Sequence, residues 1–155
     1  MRSRPIALLA AAALAAVPPA TAAASAPHPG FPADLVLRGH ADHRRPIPNE
    51  VQVVRWTVRD LGTRPVSEVT LNATVPETWR LRDGAGCILR ERGHLTCTLG
   101  ALTRHQTRSV RFELAVPRHP RLGVEHYRAR TRFTVDGTDY DGPSAHMQVE
   151  VVRHR

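Results

Sequence analysis

The chain has 155 residues and a formal net charge of +8, with 41% hydrophobic and 5% aromatic residues. This length is enough for one domain with a single core and too short for two ordinary domains. With only two cysteines the chain cannot form a zinc site from cysteines alone, and few aromatic side chains stand among the basic ones, so we do not expect a nucleic-acid partner.

The N-terminal residues 1–26 have the pattern of a secretory signal peptide. Arg2 and Arg4 give a positive start, an apolar run from Ile6 to Val17 follows, and small residues surround a cleavage site near Ala22. The apolar run is shorter than the roughly 20 residues that cross a bilayer, and no second such run follows. We therefore expect a secreted protein without a transmembrane segment, either free or peripherally associated with the cell envelope.

Residues 27–32 predict a Pro-rich tether, and residues 33–155 predict the folded domain. Within the domain, apolar and polar residues alternate with a period of two, which is typical of half-buried strands, and no stretch shows convincing helical spacing. Turn-forming stretches separate the alternating runs at 60–65, 91–93, 117–123 and 136–143. The predicted inward-facing sets are Val54, Trp56 and Val58; Val69, Leu71, Ala73 and Val75; Val110, Phe112, Leu114 and Val116; Tyr127, Ala129, Thr131, Phe133 and Val135; and Ala145, Met147, Val149 and Val151.

Short strands with one apolar face each can bury those faces only against one another. None of the connections has room for a crossover helix, so the strands pair as antiparallel neighbours. The sequence therefore predicts an all-β protein, an immunoglobulin-like antiparallel β-sandwich of seven to eight strands.

The two cysteines, Cys87 and Cys97, flank a short charged turn. A three-residue loop at 91–93, with Gly93 supplying the positive φ that such loops need, places the cysteines directly opposite each other on the apolar side. Opposed strand residues lie about 4.5 to 5.5 Å apart at Cα, within disulfide range, and an exported protein meets oxidising conditions. A redox pair usually has the spacing C-x-x-C at the start of a helix. A structural zinc site needs four ligands, and His94 points to the face opposite the cysteines. We predict a structural disulfide.

Three runs resemble a known family: Val53 to Pro76, then Cys97 to Leu102, then Thr107 to Val116. They are similar to the repeat known as the eleventh domain of unknown function, which occurs in bacterial and archaeal surface proteins. The family pattern has a strand, an Asn-x-Gly turn, a strand ending in Leu-Pro, a first Cys, and then Cys-x-Leu-Gly-x-Leu before a final Val-rich strand. The resemblance implies an immunoglobulin-like sandwich acting as an exported structural or adhesive module, and it transfers no catalytic residue.

The match covers about half of the residues after the leader, and it departs from the family pattern at three places. Asp60 stands where the family has Asn, Val75 replaces the Leu before the proline, and His105-Gln106 replaces a Gly. Asp60 and Val75 keep turn-forming or apolar character, so they leave the implied fold intact.

No recognisable catalytic motif occurs in the chain, and we predict neither enzyme activity nor a cofactor. Two groups of side chains have donor atoms that suit metals: His40 and His43 in one loop, and Asp136, Asp139 and Asp141 in another. Neither spacing fixes a complete ligand set, so the sequence favours solvated loop histidines and a hairpin turn.

Alternation places Arg128, Arg130 and Arg132 on one outward strand face. Guanidinium groups in line can bind phosphate or carboxylate groups of an anionic polymer, although charged side chains also simply keep a sheet surface solvated. The sequence leaves both interpretations open.

The favoured function is an exported, non-catalytic structural or interaction module whose partner is unidentified, with a cell-envelope polymer or a surface protein as candidates. The alternative is a secreted small-ligand or metal-binding protein.

Overall fold

The computed structural model describes residues 33–153, and these form nine β-strands and one 3-10 turn. The predicted signal peptide and tether lie outside the described residues. The strands are β1 (Leu35–Ala41), β2 (Val51–Asp60), β3 (Val66–Thr74), β4 (Arg80–Asp83), β5 (Cys87–Leu89), β6 (His94–Leu102), β7 (Thr107–Ala115), β8 (Gly123–Val135) and β9 (Thr138–Val151). Within this range, no helix is both long and apolar enough to cross a membrane.

The strands form two antiparallel sheets that pack face to face. The four-stranded sheet has the order β1-β2-β7-β4, and the five-stranded sheet has the order β5-β6-β3-β8-β9. This architecture confirms the predicted all-β sandwich. The number of strands is higher than the seven to eight predicted because β4 and β5 have only four and three residues, too few to show a period of two.

The hydrophobic core lies between the two sheets. All the predicted inward residues at positions 54–135 are buried, whereas the set on β9 is buried at one end and half-buried at the other. Trp56 and Phe112 fill the core from the four-stranded sheet, and Tyr127 and Phe133 fill it from the five-stranded sheet. Trp79, on the connection before β4, packs edge-on against Tyr127 with ring centroids 6.1 Å apart.

The β5–β6 hairpin has the predicted register. Cys87 pairs with Cys97 and Leu89 pairs with Leu95, and the two cysteines form a disulfide. The loop is the 3-10 turn Glu91–Gly93, and Gly93 adopts a φ of 71°. A Cβ atom at Gly93 would lie 2.2 Å from the carbonyl oxygen of Val75, so this position needs glycine for both its conformation and its contact.

The stretch 136–143 forms a turn only at its first two residues, and the prediction is wrong for 138–143, which belong to β9. Asp136 and Gly137 form a two-residue hairpin turn with positive φ at both positions, and β9 begins directly after them. Gly142 and Pro143 lie within β9 at a register shift opposite Thr131. Such a β-bulge accommodates a proline in a strand at the sheet edge, where its missing N–H breaks no ladder hydrogen bond.

Two buried polar groups in the sandwich have shifted pKa values. Asp60, at the end of β2, accepts a hydrogen bond from the Gly62 N–H at 2.8 Å, and burial raises the pKa of its carboxyl group above 3.8. The hydroxyl group of Tyr127 has no hydrogen-bond partner within residues 33–153, and burial raises its pKa strongly. Both groups belong to the structural interior.

Candidate functional site

The three arginines singled out in the sequence lie on the outer face of the five-stranded sheet. Arg128, Arg130 and Arg132 are exposed and alternate along β8 with buried residues that point into the core. Alternate residues of a strand lie about 7 Å apart, so the three Cα atoms span about 14 Å in one line. The neighbouring strands on either side, β3 and the edge strand β9, determine which side chains surround each arginine.

A polar row crosses the sheet at Arg128. Its cross-strand partners are Thr74 on β3 and His146 on β9, and the row continues through His94 on β6 to Arg90. Directly opposed side chains on one face have Cβ atoms about 4.5 to 5.5 Å apart. The row therefore combines two guanidinium groups, two imidazoles and a hydroxyl group, with no carboxylate among its five members.

The second and third arginines have different surroundings. Arg130 faces Asn72 and Ser144, and its guanidinium group lies 3.7 Å from the carboxylate of Asp141. Arg132 is directly opposite the same aspartate. Positive charge is thus partly balanced toward the β8–β9 turn and unbalanced near Arg128, which makes no ion pair with any residue in 33–153.

A shallow groove of about 640 Å³ runs along this face between β3, β8 and β9. Its walls carry amide, hydroxyl, imidazole and guanidinium groups. The lining residues are Asn72, Thr74, His126, Arg128, Ala129, Arg130, Ser144, Ala145, His146 and Gln148. Arg128 and Arg130 are part of the groove, whereas Arg132 lies outside it. The groove can donate many hydrogen bonds, and no carboxylate lines it.

The candidate metal-binding histidines lie at the β1 end of the molecule. His40 is exposed on β1 opposite Arg55, and His43 lies in the following loop, where its Nδ1 contacts the carboxylate of Glu50. The carboxylate of Asp42 accepts hydrogen bonds from Gln52 Nε2 at 2.7 Å and from two backbone N–H groups. Asp42 is therefore already engaged in shaping this loop.

The three candidate aspartates also have protein partners. Asp136 contacts Arg64 at 3.3 Å, Asp139 accepts a hydrogen bond from Thr134 at 2.6 Å, and Asp141 contacts Arg130. They lie at the turn and start of β9 in the five-stranded sheet, away from the histidine at position 40 in the other sheet. Across residues 33–153, no three His, Cys, Asp or Glu side chains come together in an arrangement that could hold a metal ion.

Several solved structures share this arrangement of strands. A CARDB domain of Pyrococcus furiosus, solved in complex with di-metal ions, is 17% identical with a TM-score of 0.51, over 77% of this chain and 89% of that one. The cohesin module of a family 33 glycoside hydrolase from Clostridium perfringens is 11% identical with a TM-score of 0.55, over 76% and 98%. The fold is an immunoglobulin-like β-sandwich.

The same fold also occurs in the GAE domain of GGA2p from Saccharomyces cerevisiae, which is 12% identical with a TM-score of 0.55, over 85% of this chain and all of that one. No family model matches this chain, and no curated protein matches it. The resemblance to the eleventh domain of unknown function therefore stays a prediction. At these identities the similarity to solved structures extends to the fold and no further.

Alternation along β8 predicts the arginines of the groove but does not show which side chains of other strands lie beside them. Asn72 and Thr74 alternate with the predicted inward residues of β3, as His146 and Gln148 do with those of β9, and their exposure follows from that alternation. What the sequence did not reveal was that β3 and β9 are the two neighbours of β8. Strand order joins positions far apart in the chain, and alternation carries no information about it.

Proposed function

We propose that this domain is an exported, non-catalytic interaction module that binds an anionic polymer of the cell envelope along the groove of the five-stranded sheet. The proposal rests on the side chains that surround Arg128. Its guanidinium group is exposed, has no ion pair among residues 33–153, and lies in a row with His146 and Thr74 that contains no carboxylate. Such a row attracts phosphate or carboxylate groups and provides N–H donors to hold them.

The shape of the groove supports an extended ligand. It follows three neighbouring strands, and its outward side chains end in hydrogen-bonding groups, with no Phe, Tyr or Trp ring among them. An apolar peptide would need a hydrophobic contact surface, and stacked bases are bound on Phe, Tyr or Trp rings, which this groove lacks. A flexible polar chain with regularly spaced negative charges suits it better, because charges about 7 Å apart would match alternate residues of β8.

The fold and the disulfide are consistent with this proposal. A cohesin module and a CARDB domain solved in complex with di-metal ions have the same sandwich. A disulfide forms and persists in oxidising environments outside the cytosol, which agrees with the signal peptide predicted at 1–26. The envelope as the place of action rests on the predicted export and on the charge of the groove.

Co-sedimentation of the purified protein with envelope fractions of its own organism tests the proposal. We expect it to pellet at low salt and to be released at high salt, because the Debye length falls from about 10 Å at 0.1 M to about 3 Å at 1 M. The double variant Arg128→Gln/Arg130→Gln should lose most of the pelleted fraction. The matched control is Arg118→Gln/Arg121→Gln, which removes the same charge from exposed positions of the β7–β8 connection.

Two results would contradict the proposal. Pelleting that does not depend on salt would indicate apolar or shape recognition in place of an electrostatic contact. Equal loss in the groove variant and the control variant would mean that net charge alone drives binding and that the groove has no special part in it.

A further inference from the structure

A pair of hydroxyl groups lies on the outer face of the four-stranded sheet, on the opposite side of the sandwich from the groove. Thr57 on β2 and Ser109 on β7 are directly opposed, and their side-chain oxygens lie 2.9 Å apart. Four exposed arginines surround this pair and are called here the four-arginine ring: Arg38, Arg55, Arg59 and Arg111.

The register of the sheet fixes each arginine of the ring around the hydroxyl pair. Arg55 and Arg59 lie two residues to either side of the threonine on β2, about 7 Å away along the strand. Arg38 is the cross-strand partner of that threonine on β1, and Arg111 lies two residues from the serine on β7. Since all four point outward from neighbouring positions, their long side chains can converge on an anion held by the two hydroxyl groups.

The charges of the ring are poorly balanced by the protein itself. Arg55 and Arg111 are directly opposed on neighbouring strands, an arrangement of like charges that destabilises a sheet. Arg111 contacts the carboxylate of Glu113 at 2.6 Å, and Asp83 on β4 is the cross-strand neighbour of that glutamate. The other three arginines of the ring form no ion pair within residues 33–153. Among the described residues, one ion pair with a carboxylate therefore balances part of the charge of four guanidinium groups, and the ring keeps a net positive charge.

We propose that the four-arginine ring and the Thr57–Ser109 pair form a binding site for a phosphate group. Each guanidinium group can donate two parallel hydrogen bonds to an oxyanion. One hydroxyl group of the pair donates to the other, and the remaining O–H can donate to a further oxygen, which a tetrahedral phosphate has and a planar carboxylate lacks. A bound phosphate also relieves the repulsion between the opposed arginines. With the groove on the other sheet, the domain then has two anion-binding faces, so one copy can connect two anionic chains.

Thermal unfolding with added phosphate tests this site, using orthophosphate and long-chain polyphosphate as separate probes at matched ionic strength. Both probes should raise the Tm of the wild type, since a ligand that binds the folded state stabilises it. A shift with polyphosphate alone identifies phosphate carried on a polymer as the ligand, and a shift with both identifies the single group as sufficient. The variant Arg55→Gln/Arg59→Gln should bind at least about tenfold more weakly, because it loses charged hydrogen-bond donors.

Matched variants separate this site from charge in general. Thr57→Val/Ser109→Ala keeps every charge and should still weaken binding of orthophosphate, whereas Arg118→Gln/Arg121→Gln removes two charges elsewhere and should not. Equal binding by the ring variant and the wild type would overturn the proposal, as would equal affinity of the groove variant Arg128→Gln/Arg130→Gln for polyphosphate and for polyglutamate, which carries carboxylates only. The variant Arg128→Gln/Arg130→Gln in the same assay reports on the groove, so failure of one face is distinguishable from failure of the other.

Discussion

Removing the Cys87–Cys97 disulfide gives the sharpest test of how the β5–β6 hairpin is stabilised. The two residues are ten positions apart, and the loop-entropy relation gives about 2.7 kcal/mol for a closed loop of this size. In a domain of this length, each kcal/mol corresponds to a change in Tm of about 3 to 5 °C. Reduction of the wild type should therefore lower the Tm by about 8 to 13 °C.

A second form of the same perturbation separates the loop constraint from packing. The variant Cys87→Ala/Cys97→Ala also removes sulfur atoms, one of which belongs to the fully buried Cys97. The resulting gap should cost about 1 kcal/mol more than reduction alone. Differential scanning calorimetry of the oxidised protein, the reduced protein and the double variant measures both quantities. If the oxidised and reduced proteins unfolded within about 2 °C of each other, the entropic reasoning would be wrong for this hairpin.

Three further predictions test the interior and the turn. Gly93→Ala should lower the free energy of unfolding by roughly 2–5 kcal/mol, because its Cβ would meet the Val75 carbonyl oxygen. The control Gly100→Ala has a similar positive φ but lies in open space, so it should cost about 1–2 kcal/mol. Equal losses for the two variants in a urea titration would contradict this reasoning. Burial raises the pKa of Asp60, so the contribution of its protonated form to stability is present below pH 3.8 and is lost as the pH rises through the folded pKa. Asp60→Asn, which stays neutral, should therefore gain stability relative to the wild type as the pH rises across that window. A constant difference in Tm between the two proteins from pH 3.5 to 7 would argue against this. Tyr127→Phe removes a buried hydroxyl group that has no partner among the described residues, and it should change the free energy of unfolding by less than about 1 kcal/mol. A loss above about 2 kcal/mol in a denaturant titration would show that this hydroxyl group makes a hydrogen bond.

The parts of the fold that the sequence predicts well depend on neighbouring residues alone. The inward sets on β2, β3, β7 and β8 are buried as expected, because alternation is a property of each strand by itself. The disulfide hairpin is equally local, since a glycine at the end of a three-residue loop fixes which residues face each other.

Two features that the sequence does not predict depend on contacts between strands: the strand at 138–143 and the side chains around Arg128. Gly142 and Pro143 have the composition of a turn, and only the pairing of β9 with β8 shows that they form a bulge inside a strand. In the same way, the environment of Arg128 depends on β3 and β9 lying on either side of β8. These contacts join segments that are distant in sequence, so the core of each strand could be predicted while the composition of the groove could not.

The bulge at Gly142 and Pro143 has a consequence for the solubility of the domain. β9 is the long edge strand of its sheet, and an uninterrupted edge offers its backbone N–H and C=O groups to a strand of another molecule. Pro143 has no N–H group to offer, and the register shift bends the strand at that point. Near its C-terminal end, the N–H groups of Glu150 and Val152 are already bound to the carbonyl oxygens of Arg44 and Pro46. The edge is thus interrupted in its middle and covered at its end, which opposes edge-to-edge aggregation of the secreted protein that we propose.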